Sequence, residues 1–301
     1  MKHLLGIEQL TRAEIDGLFA VAARLKKDRG VSVENALHGQ TWALLFTKPS
    51  TRTRVSFEVG IRELGGGVMF LNANDVQLGR GESIADTARV FGRMVHGTVI
   101  RTFAHEDVEQ FAELSDTPTI NALTDREHPC QILTDIFTFE EKRGGIAGKV
   151  VTFFGDGACN VANSWVFAAA KLGFKLRIAA PTAFQASAEL RARAGGDVVC
   201  TIDARAAAEG ADLLYTDVSV SMGREAEAAE RLREMAPFQI NESIVRLAKP
   251  DALVMHCLPA HRGEEIDERT FEANAATIFD QAENRLHVQK AILLDCGTSW
   301  R

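Results

Sequence analysis

The chain has 301 residues, 46% hydrophobic and 25% charged, the composition of an ordinary folded protein with enough apolar surface to offset the entropy of ordering it. Its 34 Lys and Arg against 41 Asp and Glu leave a formal charge of -7. That balance excludes the dense basic face needed for sequence-independent nucleic-acid binding, so an anionic ligand must be held by a few locally placed cations.

At roughly one domain per 100–200 residues, the length predicts two domains. Cysteines stand at 130, 159, 200, 257 and 296, an odd number with no Cys-x-x-Cys pair, which argues against a disulfide framework or zinc ribbon and for a reducing compartment. The opening MKHLLGIEQLTRAEID lacks a signal-like apolar core, and no run of about 18 apolar residues follows. The expected location is cytoplasmic, with no membrane attachment.

In chain order, short runs rich in Val, Ile, Leu and Phe fall at 41–46, 98–103, 119–123, 149–154, 176–180, 197–202, 212–216, 252–256 and 277–279. Between them, segments 54–64, 83–95, 131–142, 162–172 and 186–193 repeat apolar residues every three or four positions, as amphipathic helices do. Continuous rather than alternating hydrophobicity in the runs predicts strands buried on both faces. The fold class expected is therefore α/β, with parallel sheets flanked by helices. Gly144 and Gly145 after a charged helix end predict a boundary there. The stretch 224–234, REAEAAERLRE, reads as a solvated surface helix.

Polar residues gather after the apolar runs. Lys48-Pro49-Ser50-Thr51-Arg52-Thr53-Arg54 follows the first run and opens a helix, a place where free backbone N–H groups, two hydroxyls and an arginine suit a phosphate. Read alone, it serves equally well as a serine cap followed by solvated arginines. Gln77-Leu78-Gly79-Arg80-Gly81-Glu82 is a polar loop that reads as a connection, a lid, or an arm reaching another subunit. Arg101 and His128-Pro129-Cys130-Gln131 lie at or after further strands, where open parallel sheets bind ligands. Gly155-Asp156-Gly157-Ala158-Cys159-Asn160 lacks the third glycine of a dinucleotide fingerprint. Asp217 and Cys257 close the series, each open to a bland reading as a turn residue and a small buried hydrophobe.

Ser50 to Arg54, His128 to Gln131, and His256-Cys257-Leu258-Pro259 together resemble the hallmarks of the transcarbamoylases, and the segment from Asp217 to Ser221-Met222-Gly223 is similar to the ornithine-binding loop of that family's ornithine branch. The resemblance runs from about Gly6 to Ile292. It implies a carbamoyl-phosphate-binding domain at 1–145, to which a last helix at 287–301 returns, and an ornithine-binding domain at 146–286. Carbamoyl-phosphate contacts are implied at Ser50, Thr51, Arg52, Thr53, Arg101, His128, Gln131, Cys257, Leu258 and Arg285. Gln77 is implied to enter from the neighbouring subunit of a homotrimer with shared sites.

Ornithine contacts are implied at Asn160, Asp217, Ser221 and Met222, and catalytic parts at Arg101, His128, Asp217 and Cys257. The implied reaction carries the carbamoyl group of carbamoyl phosphate to the side-chain amine of L-ornithine, without metal or cofactor, because the donor is already activated. Ser219 stands where many relatives carry tryptophan, a departure expected to loosen the loop, and the tail from Leu294 to Arg301 does not resemble the usual end of the last helix. Two alternatives stay open: a transcarbamoylase for N-acetylornithine or putrescine, and a non-catalytic α/β protein that binds phosphorylated metabolites.

Overall fold

The computed structural model describes residues 2–32, 34–72, 76, 81–220 and 228–298. The chain divides into two compact units, Met1–Thr134 with Asn284–Arg301, and Asp135–Glu283.

In the first unit, β1 (Thr41–Phe46), β2 (Gly67–Asn72), β3 (Gly97–Arg101) and β4 (Thr119–Leu123) form a parallel sheet in the order β2-β1-β3-β4. The helices are α1 (Arg12–Lys27), α2 (Thr51–Glu63), α3 (Ile84–Met94) and α4 (His105–Ser115), and the unit also takes the start of α5 (Pro129–Arg143). Because the order turns back after β1, the switch point lies between β1 and β3, where the loops leaving the carboxyl ends diverge. Pairing of Phe46 with Arg101, and of Arg101 with Leu123, brings the three strand ends level.

The second unit holds β5 (Val150–Phe154), β6 (Lys175–Ala179), β7 (Val198–Thr201), β8 (Leu213–Thr216) and β9 (Leu253–His256), parallel in the order β7-β6-β5-β8-β9. Its helices include α6 (Asn160–Leu172), α7 (Ala188–Ala194), α8 (Ala204–Ala208), α9 (Ala228–Met235), α10 (Glu242–Val245) and α11 (Glu268–Ala273). Here the switch point falls between β5 and β8. Phe154 pairs with Thr216, and Thr216 with His256, so the loops opening at Gly155, Asp217 and Cys257 emerge side by side.

The α/β class and the parallel sheets stand as expected. Three particulars differ. The run 277–279 is not a strand but part of α12 (Ala275–Thr298), where Ile278 is buried on a helix. Strand β2 was not among the expected strands although Val68-Met69-Phe70-Leu71 is an apolar run; it is an edge strand whose first residues alternate between exposed and half-buried. The division between units runs through α5 rather than at the glycines 144–145, because the Asp135 carboxylate belongs to the second unit's buried network. It accepts the Tyr215 O–H and the Gln281 amide N–H, both at 2.7 Å.

From Asn284 onward α12 belongs to the first unit. Lys290 bonds Glu63 at 2.7 Å, and Lys26 bonds Asn284 at 2.9 Å.

Gly92 lets α3 pass the end of α4: a Cβ there would lie 2.1 Å from the Ser115 carbonyl oxygen. Gly92→Ala should therefore lower stability by about 1–3 kcal/mol, the usual cost of forcing atoms into a packed contact, seen as a fall of several degrees in the melting temperature. An unchanged melting curve would show that the two helices part freely.

Candidate active site

In the first unit the site begins where β1 becomes α2. Ser50 caps the helix, its Oγ accepting the Thr53 N–H at 3.3 Å, and its own O–H donates to Thr53 Oγ1 at 2.9 Å. Arg285, from the first-unit part of α12, donates to the same oxygen at 2.7 Å. With Ser50 and Arg285 both donating to the Thr53 oxygen, its hydroxyl proton remains to serve a further acceptor. Thr53 is fully buried, Arg52 half-buried and Thr51 exposed.

Arg101 ends β3, while His128 and Gln131 sit just before and within the first turn of α5. All three are buried, as is Arg285. Burial, followed by the charges of Arg285 and Arg101, holds the His128 imidazole well below its ordinary pKa of 6.5. The ring is neutral at pH 7, a hydrogen-bonding group rather than a third cation. Lys48, buried beside this cluster, bonds Asp125 and lies 4.1 Å from the centroid of the Phe103 ring, which ties together the loops following β1, β3 and β4.

In the second unit the Cys257 thiol donates to Asp217 Oδ1 at 2.8 Å, and the Val218 N–H donates to the same oxygen at 2.7 Å. Burial raises the Asp217 pKa. Burial and the adjoining Asp217 charge push Cys257 well above the usual thiol range, so it is a donor and not a thiolate. Asn160 opens α6 half-buried, behind a Cys159 cap whose sulfur accepts the Ala162 N–H.

Leu258 has φ 57°, a left-handed conformation uncommon for leucine. Its N–H is captured by His256 Nδ1 at 2.8 Å, which leaves the proton on Nε2, 2.9 Å from Glu265 Oε1. Glu265 also accepts the His261 N–H at 2.7 Å, and the His256 N–H donates to Gln281 Oε1 at 3.1 Å.

The structure thus gathers Ser50, Thr53, Arg101, His128 and Arg285 in one unit, and Asp217 with Cys257 in the other. Gln77, Ser221 and Met222 lie outside the described residues. Sequence reading missed Glu265, Asp135 and Gln281, because no spacing rule links side chains that meet only after folding. It also took the charged stretch 224–234 as solvated, whereas Arg231 on α9 is buried and bonded to Asp156. Ser219 is buried, and its carbonyl accepts from the Arg231 Nε at 3.3 Å.

Comparison with known proteins gives this geometry its context. Residues 2–141 match the family model described as aspartate/ornithine carbamoyltransferase, carbamoyl-P binding domain, and residues 147–296 match the Asp/Orn binding domain of the same family. The two matches, in this order, define a carbamoyltransferase. The chain belongs to the aspartate/ornithine carbamoyltransferase family.

It is 51% identical over 296 residues to the ornithine carbamoyltransferase of Akkermansia muciniphila, covering 97% of each chain. To that of Geobacter sulfurreducens it is 45% identical, covering 97% of this chain and 98% of the relative. Among solved structures, ornithine carbamoyltransferase from Pyrococcus furiosus is similar with a TM-score of 0.91 at 44% identity, over 97% of this chain and 96% of that one. The anabolic enzyme from Campylobacter jejuni gives 0.93 at 40% identity, over 99% and 100%.

The bond between Cys257 and Asp217 has a measurable consequence. A negative charge beside a thiol opposes its ionisation, so Asp217→Asn should lower the Cys257 pKa and speed its alkylation by iodoacetamide several-fold at a fixed pH near 8. Mass spectrometry of the Cys257 peptide over time reads the rate. Equal rates in the two proteins would mean that the charge of Asp217 does not govern the thiol.

Proposed function

We propose that the chain transfers the carbamoyl group of carbamoyl phosphate to the side-chain amine of L-ornithine, giving L-citrulline and phosphate. The observation that carries the choice of acceptor is the half-buried Asp217, bonded to the Cys257 thiol at 2.8 Å, at a strand end followed in sequence by Ser221-Met222-Gly223.

Carbamoyl phosphate occupies the first-unit cluster. The start of α2 at Ser50 to Thr53, with Arg52 and Arg285, holds its phosphate. Arg101, neutral His128 and the Thr53 hydroxyl donate to the carbonyl oxygen, where negative charge grows as the amine attacks. Gln131 adds a further polar contact. Ornithine is held by Asn160 at its carboxylate and by Asp217 at its α-ammonium, and Ser221 and Met222 are further ornithine contacts.

The side-chain amine resembles that of lysine, with a pKa near ~10, and is mostly protonated in water. Leaving water favours its neutral, nucleophilic form. The amine nitrogen then bonds to the carbonyl carbon, the C–O bond to phosphate breaks with its electron pair leaving on phosphate, and the nitrogen gives up one proton, for which the departing phosphate is the base that the reaction itself supplies. Cys257 orients Asp217, and Leu258 borders the donor. The catalytic parts are Arg101, His128, Asp217 and Cys257.

The working form is a homotrimer in which Gln77 of one subunit completes a neighbour's carbamoyl-phosphate site. The exposed apolar side chains Val55, Met69, Val90 and Met94 of the first unit support an assembly of this kind. The compartment is the cytoplasm, where the free thiols at all five cysteine positions stay reduced, and the role lies in arginine metabolism and amino-acid biosynthesis.

The reading is tested by supplying carbamoyl phosphate with L-ornithine, putrescine or N-acetylornithine and measuring carbamoylated product and phosphate. L-Ornithine should have the highest kcat/KM, because either analogue leaves a buried polar group of the site without its partner. Preference for another amine would overturn the acceptor, and no turnover with any would overturn the reaction. In the same assay Arg101→Ala should lower kcat by about 10²–10³, the typical cost of removing one donor to a developing oxyanion. Nearly full turnover would remove Arg101 from the chemistry.

A further inference from the structure

Arg231 is an unusual element of a helix that otherwise reads as solvated. Its guanidinium is buried, with side-chain exposures of 7% for Arg231 and 11% for its partner Asp156. One terminal nitrogen donates to Asp156 Oδ2 at 2.5 Å, and Nε donates to the Ser219 carbonyl at 3.3 Å. The group lies 4.5 Å from the centroid of the Phe184 ring. The other oxygen of Asp156 accepts the Ala158 N–H at 3.0 Å, which fixes the turn leading through the Cys159 cap to Asn160.

Asp156 and Ser219, both acceptors of Arg231, stand on different loops. Asp156 follows β5 and precedes Asn160, while Ser219 follows β8 two residues after Asp217. These loops flank the switch point of the second sheet, where such folds hold their ligand. A guanidinium is a planar, rigid fork, so engaging both acceptors fixes the spacing of the loops. An apolar pair of similar volume would fill the same space at comparable stability without imposing that spacing.

We propose that Arg231 is a positioning residue for the amino-acid substrate: by holding Asp156 and the Ser219 carbonyl together, it sets the separation of Asn160 and Asp217. The inference rests on the ornithine site proposed above. It assigns Arg231 no contact with substrate.

The test uses the full-length chain and the variants Arg231→Lys, Arg231→Gln and the double variant Asp156→Leu, Arg231→Met. Steady-state KM and kcat for each substrate are measured alongside the melting temperature. Each variant should raise the ornithine KM by about tenfold or more while the carbamoyl phosphate KM stays within about twofold, the pattern expected when groups on one side of a reaction are misplaced. The double variant removes the buried charges together, at the loss of the Asp156–Ala158 bond, so it should melt no lower than Arg231→Gln yet keep the raised ornithine KM. It carries the test if the single Gln variant fails to fold.

A double variant with the wild-type ornithine KM would overturn the proposal, since restored packing would then be sufficient. So would a carbamoyl phosphate KM that rises by the same factor as the ornithine KM. A wild-type chain that makes no citrulline would overturn the proposed reaction and this inference with it. An active wild type with unaffected variants overturns the inference alone.

Discussion

Two buried guanidiniums facing one neutral imidazole set the terms for the first unit. Arg101 and Arg285 both lie within electrostatic reach of His128 and, together with burial, keep its ring uncharged. Like charges taken out of water repel strongly, and a dianion placed among them relieves that repulsion while gaining several charge-assisted hydrogen bonds. The neutral imidazole then contributes direction without adding charge. Thr53 belongs to the same device, since its oxygen is filled by Ser50 and Arg285 and its proton is directed elsewhere.

The second unit applies the opposite sign. Asp217 is a half-buried carboxylate whose side chain accepts from a thiol and a backbone N–H, neither of which cancels its charge. In the proposed reaction a substrate ammonium is its counterion. Around it, hydrogen bonds supply stiffness: His256 holds the Leu258 N–H on one side and Glu265 on the other, while Gln281 ties the His256 backbone to Asp135, which also accepts from Tyr215. Each cluster stands at the switch point of its own sheet, and in each the register of three parallel strands brings the loops at the strand ends level.

The α/β class was legible because most strands are buried on both faces and read as unbroken apolar runs; β1 and β4 fall at 41–46 and 119–123, where the runs lay. The run Val68 to Leu71 of β2 was passed over, four apolar residues being too few to separate an edge strand from the end of the preceding helix, and 277–279 was misread because three apolar residues cannot distinguish a strand from a turn of α12. Ser50 to Thr53, Arg101, His128 and Asp217 were visible as polar residues interrupting apolar runs at strand ends. Glu265, Asp156 and Arg231 were not, since each gains its meaning from a partner distant in sequence. The stretch around Arg231 is dominated by charge, and only folding reveals that one of those charges is buried.

The central claim is electrostatic: the first-unit cluster is completed by the negative charge of its ligand. Nitrogen-15 NMR of the His128 ring, assigned by comparison with His128→Asn and followed against pH with and without carbamoyl phosphate, tests it most directly. The account predicts a neutral ring at pH 7 in the free protein, and a His128 pKa that moves upward when the dianion offsets the field of Arg101 and Arg285. A ring already protonated at pH 7 in the free protein, or one whose titration ignores a bound ligand, would contradict it.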